Sequence, residues 1–209
     1  MIREKKIGDF MEEFASSSPT PGGGSAAALS GALGAVSTCM VASLTVGKDD
    51  YADVQEEMEE LIEATTQLKE DYLDLVNQDM KVFGEYMEAL QMPKETSEEE
   101  EKRNKAMKKA SIEATEVPFS MAEKSVEILK QALIAAKNGN THAVSDAGVG
   151  AIEAWAALEA AELNVNINLA FMNDEEYVTE KREAMEALKS EAKELKDEVL
   201  KITNDKIGG

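Results

Sequence analysis

Ser18-Pro19-Thr20-Pro21-Gly22-Gly23-Gly24-Ser25 leads directly into an uncharged run, Ala26 to Gly47, which consists mostly of Ala, Gly, Ser, Leu and Val. The prolines cannot continue a helix, and the glycines permit backbone angles that are closed to other residues, so the stretch predicts a tight loop. Ser25 is a good N-cap for a helix that follows. The loop therefore leads onto a helix N terminus, whose bare N–H groups and positive dipole end suit an anion.

Small residues cover most of the surface of this predicted helix. Ala27, Gly31 and Ala35 are four apart, and so are Ser30 and Gly34. Such a helix lets its neighbours approach closely, which suits the centre of a bundle. An uncharged run of this length can also span a bilayer. Because the run is rich in Ser, Thr and Gly, has no basic flank and has no second run like it, we predict a buried central helix and no membrane partner.

The composition predicts one helical domain that spans residues 1–209. Aromatic residues make up 5% of the chain, whereas Ala, Glu, Lys, Leu and Met are abundant. The net charge of −20 makes nucleic acid a poor partner. The single cysteine, Cys39, excludes a disulfide framework, and Met1 to Phe14 has the mixed charge of a short amphipathic helix rather than of a signal peptide. We expect a cytoplasmic protein.

The clearest periodicity begins near Tyr51 and predicts a long helix with a bundle seam. Two rows at seven-residue spacing alternate in steps of three and four. One row is aliphatic, and the other contains a single carboxylate, Asp79, at a position that the pattern assigns to the core. The rows are Val54, Leu61, Leu68, Leu75 and Val82, and Tyr51, Met58, Thr65, Tyr72, Asp79 and Tyr86.

Further helices follow to the end of the chain. Ser97 and Glu100 have capping-box spacing, and Pro118 predicts a kink or a short break in the helix that they begin. Another helix is expected from about Ala143 to about Phe171, and Asp174 is expected to cap the last one. No strand pattern occurs in the sequence, so the predicted fold class is all-α: an antiparallel bundle of about five or six long helices.

Several motifs, in order, resemble those of the formiminotransferase-cyclodeaminase and methenyltetrahydrofolate cyclohydrolase family. The resemblance extends from about Phe10 to about Leu169 and is specific only when the motifs are taken together. They are Phe14-Ala15-Ser16 with Ser18 to Ser25, Met40 to Lys48 with Tyr51, Gly139-Asn140, Ser145-Asp146 and Asn164-Val165-Asn166-Ile167-Asn168-Leu169.

The resemblance implies a stand-alone cyclodeaminase-type enzyme of folate one-carbon metabolism. It implies a homodimer with a tetrahydrofolate derivative, with or without a polyglutamate tail, in a groove lined by helices. The leading hypothesis is a formiminotetrahydrofolate cyclodeaminase that forms 5,10-methenyltetrahydrofolate and ammonia. The alternatives are a methenyltetrahydrofolate cyclohydrolase, which interconverts the 5,10-methenyl and 10-formyl forms, and a non-catalytic helical scaffold.

Asp79 is the candidate catalytic residue. A lone carboxylate in a seam is usually a register device with a hydrogen-bonding partner. The alternative is a carboxyl group whose pKa burial raises, so that it is poised for proton transfer. The resemblance favours the second interpretation, because the cyclodeaminase branch of the family has an acidic catalytic residue in this helix.

The candidate substrate-binding residues are spread along the chain. Each has a structural alternative: a tight turn for the loop, a dipole interaction at a helix end for Lys48 and Asp146, and bonds across the bundle for the two asparagines. The resemblance makes ligand contact the expectation for all of them. They are Pro21, Gly22, Gly23, Gly24, Ser25, Lys48, Asp146, Asn164 and Asn168.

No metal site and no cofactor beyond the tetrahydrofolate substrate are expected. His142 is the only histidine, and a histidine without Cys, His or carboxylate partners at ligand spacing does not form a metal site.

Overall fold

Six α-helices and three short 3-10 helices make up the secondary structure of the computed structural model, which describes residues 1–208 and contains no strand in that range. The prediction of an all-α fold is confirmed. The α-helices are α1 (Ile7–Phe14), α2 (Gly23–Ser43), α3 (Gln55–Leu90), α4 (Ser97–Asn138), α5 (Val144–Leu169) and α6 (Glu175–Gly208).

Consecutive long helices run antiparallel, as their cross-helix bonds show. Along α3 and α4 the bonded pairs advance in opposite directions through the two helices. The same holds for α2 against α3 and for α5 against α6. The α3–α4 pairs are Asn138 with Glu57, Lys124 with Asp71, and Arg103 with the Leu90 carbonyl oxygen.

α2 occupies the centre of the bundle and packs against α3, α4 and α5. A Cβ placed on Gly31 would clash with the Tyr72 ring, and one on Gly34 would lie 3.0 Å from the Ala154 nitrogen and from the Gly150 oxygen. The small residues therefore permit close helix packing, as the sequence predicts. Within residues 1–208, α2 alone is long and apolar enough to cross a membrane, and 56% of that stretch is buried. It is a core helix of the bundle.

The predicted seam of α3 is confirmed. Met58, Leu61 and Tyr72 are completely or almost completely buried. The Tyr72 hydroxyl donates to the Met121 carbonyl oxygen at 2.6 Å and lies 2.8 Å from Ser125 Oγ, which joins α3 to α4 through the core. The seam is less buried towards the C-terminal end of α3, where Asp79 is only half-buried.

Three expected helix starts are corrected by the structure. Gly22, not Ser25, is the N-cap of α2, because the helix begins three residues earlier than predicted and Ser25 is fully buried within its first turn. The capping box of α4 consists of Thr96 and Glu99, one residue earlier than predicted. The long helix α3 begins at Gln55 rather than near Tyr51, because a 3-10 segment precedes it.

α4 continues through Pro118 without a break. Proline has no N–H, so the Ala114 carbonyl oxygen one turn earlier loses its helical donor. Asn168 Nδ2 from α5 donates to this oxygen at 2.6 Å. Of the two predicted alternatives, a kink or a short break, the break is wrong, and a side chain of the neighbouring helix supplies the missing hydrogen bond.

Candidate active site

A pocket of about 360 Å³ opens at the end of the bundle where the Gly-rich loop enters α2. This volume falls in the range of roughly 300–1,000 Å³ that is usual for small-molecule sites. Four parts of the chain form its walls. They contribute Pro19, Thr20, Gly22, Gly23 and Gly24 from the loop and α2, Asp79, Val82, Phe83 and Tyr86 from α3, Ser111, Ala114 and Pro118 from α4, and Asn164, Ile167, Asn168 and Phe171 from α5 and the turn after it.

Asp79 is held against the first turn of α2. Ser25 Oγ donates to Asp79 Oδ2 at 2.8 Å. A Cβ on Gly24 would lie 2.6 Å from Asp79 Cγ and would clash with Oδ1. Gly24 is therefore required for this approach, and the N terminus of α2 holds a carboxylate of the chain itself. The positive end of the α2 dipole, which suits an anion, therefore faces the Asp79 carboxyl group of the same chain.

Burial raises the pKa of the Asp79 carboxyl group above its ordinary value, and hydrogen bonds from the Ser25 hydroxyl and backbone N–H only partly offset this effect. No cation contributes to the shift. Among the described residues that line the pocket, Asp79 is the only one with an ionisable carboxylate, and none is Lys, Arg or His. The absence of a basic partner is what leaves desolvation as the dominant effect. A carboxyl group in this setting can donate a proton at higher pH than a solvent-exposed one.

The two asparagines of α5 line the pocket together. Asn164 Nδ2 donates to the Ala160 oxygen of its own helix at 2.8 Å, and Asn168 Nδ2 donates to the Ala114 oxygen. A Cβ on Gly23 would lie 3.6 Å from Asn164 Nδ2, so the loop and α5 are in contact here. Each amide nitrogen is thus engaged by protein, while no protein donor within residues 1–208 bonds either amide oxygen.

Four aromatic or aliphatic side chains form the open wall of the pocket. Phe83, Tyr86, Ile167 and Phe171 line it, and Ile167 and Phe171 are 54% and 74% exposed. Phe83, Ile167 and Phe171 are not among the site residues predicted from the sequence. A signal was present, because the last two share one helix face with Asn164 and Asn168 and aromatic residues are rare in this chain.

The other predicted site residues lie elsewhere. Pro21 is buried in the loop, after a cis Thr20–Pro21 bond, and does not line the pocket. Lys48 is exposed beyond the C terminus of α2, and the 21 residues of that helix separate it from the pocket by about 30 Å. Asp146, in the first turn of α5, lies at the same far end. The chain therefore brings together Gly22, Gly23, Gly24, Ser25, Asp79, Asn164 and Asn168, but not Pro21, Lys48 or Asp146.

No group of three or more His, Cys, Asp or Glu side chains with the geometry to hold a metal ion is present in residues 1–208. His142 lies in the 3-10 turn Thr141–Ala143, at the end of the bundle opposite to the pocket.

The fold and the pocket define a class: an all-α enzyme whose site places one desolvated carboxyl group between a Gly-rich helix N terminus and an asparagine pair. The family model described as formiminotransferase-cyclodeaminase matches residues 6–187. The chain belongs to the formiminotransferase-cyclodeaminase family.

Relatives agree with this assignment. The methenyltetrahydrofolate cyclohydrolase of Methylorubrum extorquens is 35% identical over 207 residues, which cover 99% of this chain and 100% of that protein. The formimidoyltransferase-cyclodeaminase of Gallus gallus is 36% identical over 190 residues, and the chain spans only 35% of its length. The crystal structure of formiminotetrahydrofolate cyclodeaminase from Thermotoga maritima superposes with a TM-score of 0.90 at 26% identity, covering 99% of this chain and 100% of that one. Family membership favours the enzyme interpretation over a helical scaffold.

Proposed function

We propose that the protein is a formiminotetrahydrofolate cyclodeaminase and that Asp79 carries the proton transfers. The observation that carries this proposal is the position of Asp79 in the pocket: half-buried, bonded to Ser25 and without a cation beside it. The T. maritima structure, whose match covers 99% of this chain and 100% of that one, bears that activity in its name.

The reaction requires proton transfer at two nitrogens. N10 of the substrate attacks the formimino carbon, a C–N10 bond forms, and the C=N electron pair moves to the imino nitrogen. N10 loses its proton, and the imino nitrogen gains two before ammonia departs with the bonding pair. The net uptake is one proton, and the methenyl product is a cation.

Asp79 suits both halves of this sequence. As a carboxylate it accepts the proton of N10, and as a carboxylic acid it protonates the departing nitrogen. Its raised pKa keeps the acid form available at higher pH than for an exposed carboxyl group. After ammonia leaves, the ionised carboxylate is the one charged side chain lining the pocket in residues 1–208, and it stabilises the cationic product.

The walls of the pocket fit the flat ring system of a reduced folate. Phe83, Tyr86 and Phe171 offer apolar surface for the pterin faces, and Gly23 and Gly24 let the loop approach the substrate closely. Asn164 and Asn168 offer polar contacts at the ring edge. No substrate contact within the same chain is proposed for Lys48 or Asp146.

A second candidate is methenyltetrahydrofolate cyclohydrolase. The observation in its favour is the match to the M. extorquens enzyme, which covers 99% of this chain and 100% of that protein. Hydrolysis of the 5,10-methenyl form also passes through a tetrahedral carbon between N5 and N10 and also requires proton transfer to nitrogen, so the same Asp79 serves it.

We further propose that no cofactor beyond the folate substrate takes part, that the protein is cytoplasmic, and that it accepts polyglutamylated folates. A basic segment of α4, residues 102–109, supports the last point in a chain of net charge −20. It ends two residues before Ser111 of the pocket. Lys105 in this segment is exposed and forms no ion pair with residues 1–208. Cations in this segment complement the glutamate carboxylates of a folate tail.

We also propose a homodimer formed through α2 and α5. Both helices carry a charge-free apolar stripe at helical spacing that faces solvent in the single chain, and the two helices pack against each other. An exposed apolar surface of this length marks an interaction site, and a two-fold dimer is the commonest assembly that would cover it. The stripes contain Leu33, Val36, Met40 and Leu44 on α2, and Val149, Ile152, Leu163 and Ile167 on α5.

The test of the function is a side-by-side assay of both reactions with the purified protein. Release of ammonia from 5-formiminotetrahydrofolate, together with formation of the methenyl chromophore, supports the deaminase. If the protein turns over 5,10-methenyltetrahydrofolate but not 5-formiminotetrahydrofolate, the cyclohydrolase function is assigned instead. If neither substrate is turned over and a reduced folate does not raise Tm, the folate assignment is overturned.

A further inference from the structure

Pro118 creates an unpaired carbonyl oxygen in the wall of the pocket. In an uninterrupted α-helix the N–H of residue 118 would donate to the oxygen of residue 114. Proline has no N–H, so the Ala114 oxygen depends on a donor from outside the helix. Both Pro118 and Ala114 line the pocket, so this gap lies where a ligand would bind.

Asn168 fills the gap and is itself oriented by it. Its Nδ2 lies 2.6 Å from the Ala114 oxygen. A carbonyl oxygen accepts but cannot donate, so the group that faces it must be the NH₂ of the amide and not Oδ1. The orientation of the Asn168 amide is therefore set by the Ala114 oxygen, which Pro118 leaves without its helical donor. The amide oxygen has no partner in residues 1–208 and is open to the pocket.

Asn164 is oriented in the same sense by a different carbonyl. Its Nδ2 donates to the Ala160 oxygen at 2.8 Å. The two asparagines are four residues apart, so their side chains are neighbours on one face of α5. With both amide nitrogens engaged, this wall presents two acceptors. Asp79 adds carboxylate oxygens across the pocket.

We propose that Pro118 is a positioning residue for substrate recognition: it fixes Asn168 as an acceptor, and the Asn164–Asn168 pair thereby selects the N–H edge of the reduced pterin. This inference rests on the proposed function. The pyrimidine ring of a tetrahydropterin has adjacent donors, N3–H and the 2-amino group, and acceptors elsewhere on its rim. A wall of oriented oxygens accepts that edge and repels a ring edge that carries only lone pairs.

The positioning part is tested by stability, without any folate. Asn168→Ala leaves the Ala114 oxygen without a donor, so it should lower Tm in the wild-type chain. In the Pro118→Ala background the helix supplies its own donor, and the same Asn168→Ala change should lower Tm by clearly less. Equal Tm losses in both backgrounds would overturn the coupling between Pro118 and Asn168.

The recognition part is tested by binding. Calorimetry would compare 5-formyltetrahydrofolate with its 2-desamino analogue, for the wild type, Pro118→Ala, Asn168→Ala and the control Pro93→Ala, which changes an exposed proline in the α3–α4 connection. The wild type and the control should prefer the amino compound by about three- to tenfold, the equivalent of one hydrogen bond. The two site variants should lose most of that preference.

If Pro118→Ala keeps the full preference, Pro118 does not position the acceptor, and the proposal is overturned. If the wild type binds neither compound, the folate assignment and the recognition part both fall. The Tm comparison still decides, independently, whether Pro118 orients Asn168.

Discussion

Gly24 and Asp79 are in direct contact across the packing of α2 on α3: the position of a Gly24 Cβ lies 2.6 Å from Asp79 Cγ and 3.0 Å from Oδ2. No side chain larger than hydrogen fits there without moving the carboxylate. With the Ser25 hydroxyl on Oδ2, this contact fixes where the acid sits relative to the Gly-rich loop. The loop therefore shapes the surroundings of the proposed catalytic residue as well as the pocket rim.

Asp79→Asn is expected to abolish most of the turnover. The amide keeps the shape of the carboxyl group but cannot transfer a proton, so kcat should fall roughly 10²–10⁴-fold while KM changes little. Steady-state kinetics of ammonia release provide the measurement. Asp205→Asn, which removes an exposed charge at the opposite end of the bundle, is the control. More than about a tenth of wild-type turnover in Asp79→Asn would rule out general acid–base catalysis by this residue.

Gly24→Ala is expected to reduce activity through Asp79. The new Cβ must displace the carboxylate, so kcat should fall by at least about tenfold, since misplacement of a catalytic group by about 1 Å can cost 10²-fold. Gly84→Ala is the matched control, because Gly84 lies exposed in α3 with open space around its Cβ position. This control should be more stable by up to about 1 kcal/mol, with unchanged kinetics. Equal kcat values for the two variants would contradict the steric role of Gly24.

The stability difference between Asp79→Asn and the wild type should depend on pH. Burial raises the pKa of Asp79 in the folded state, so the folded protein holds this proton more tightly than the unfolded chain. The contribution of Asp79 to stability is therefore complete below its unfolded pKa and is lost as the pH rises through the raised, folded pKa. The free energy of unfolding of Asp79→Asn minus that of the wild type should grow from about pH 4 upward and then level off. Urea titrations at several pH values measure it, and a difference that shrinks as the pH rises would reverse the sign assigned here.

Ile152→Glu should disrupt the dimer. Ile152 is 52% exposed in the N-terminal half of the α5 stripe, so a charge there costs little in the monomer but is buried unpaired in the proposed interface. Light scattering at micromolar concentration should report a dimer for the wild type and a monomer for the variant. Glu153→Gln, on the same turn but off the stripe, is the control. A wild-type monomer with full activity would disprove the assembly.

Lys105→Gln should weaken the preference for long folates. Loss of one cation from the basic segment 102–109 should raise KM for a polyglutamylated substrate by a few-fold, about 0.2–1 kcal/mol for an exposed ion pair, and leave KM for the monoglutamate unchanged. The effect should diminish at high salt. Lys201→Gln, exposed on α6, is the control. An equal rise for both substrates would place Lys105 outside the tail site.

The helices and their buried faces could be predicted because they depend on local periodicity. The rows of α3, the small-residue surface of α2 and the position of Asp79 at the seam all follow from residue spacing. The predicted helix starts are less accurate. The Gly22 cap of α2 has no side chain to signal it, and Ser97 with Glu100 has the same capping-box spacing as Thr96 with Glu99.

The site itself depends on contacts between residues that are far apart in sequence. The Ser25–Asp79 bond spans 54 positions, and so does the Asn168–Ala114 bond. Nothing in the local sequence of α4 shows that Pro118 leaves a carbonyl oxygen that another helix will satisfy. The same limit explains Lys48 and Asp146: both lie in matched motifs, but the antiparallel order of the helices places them at the opposite end from the pocket.

Where α2 and α5 cross, their main chains are in direct contact. Gly34 faces the Gly150 oxygen, and a Cβ on Gly150 would clash with Thr38. The spacing of the two helices does not depend on a side-chain rotamer. Backbone atoms therefore fix the distance between the pocket walls that carry Gly24 and Asn164. That gap cannot widen or narrow by side-chain repacking. Adjustment of the pocket to substrates of different size must therefore come from the side chains that line it, and not from the spacing of α2 and α5.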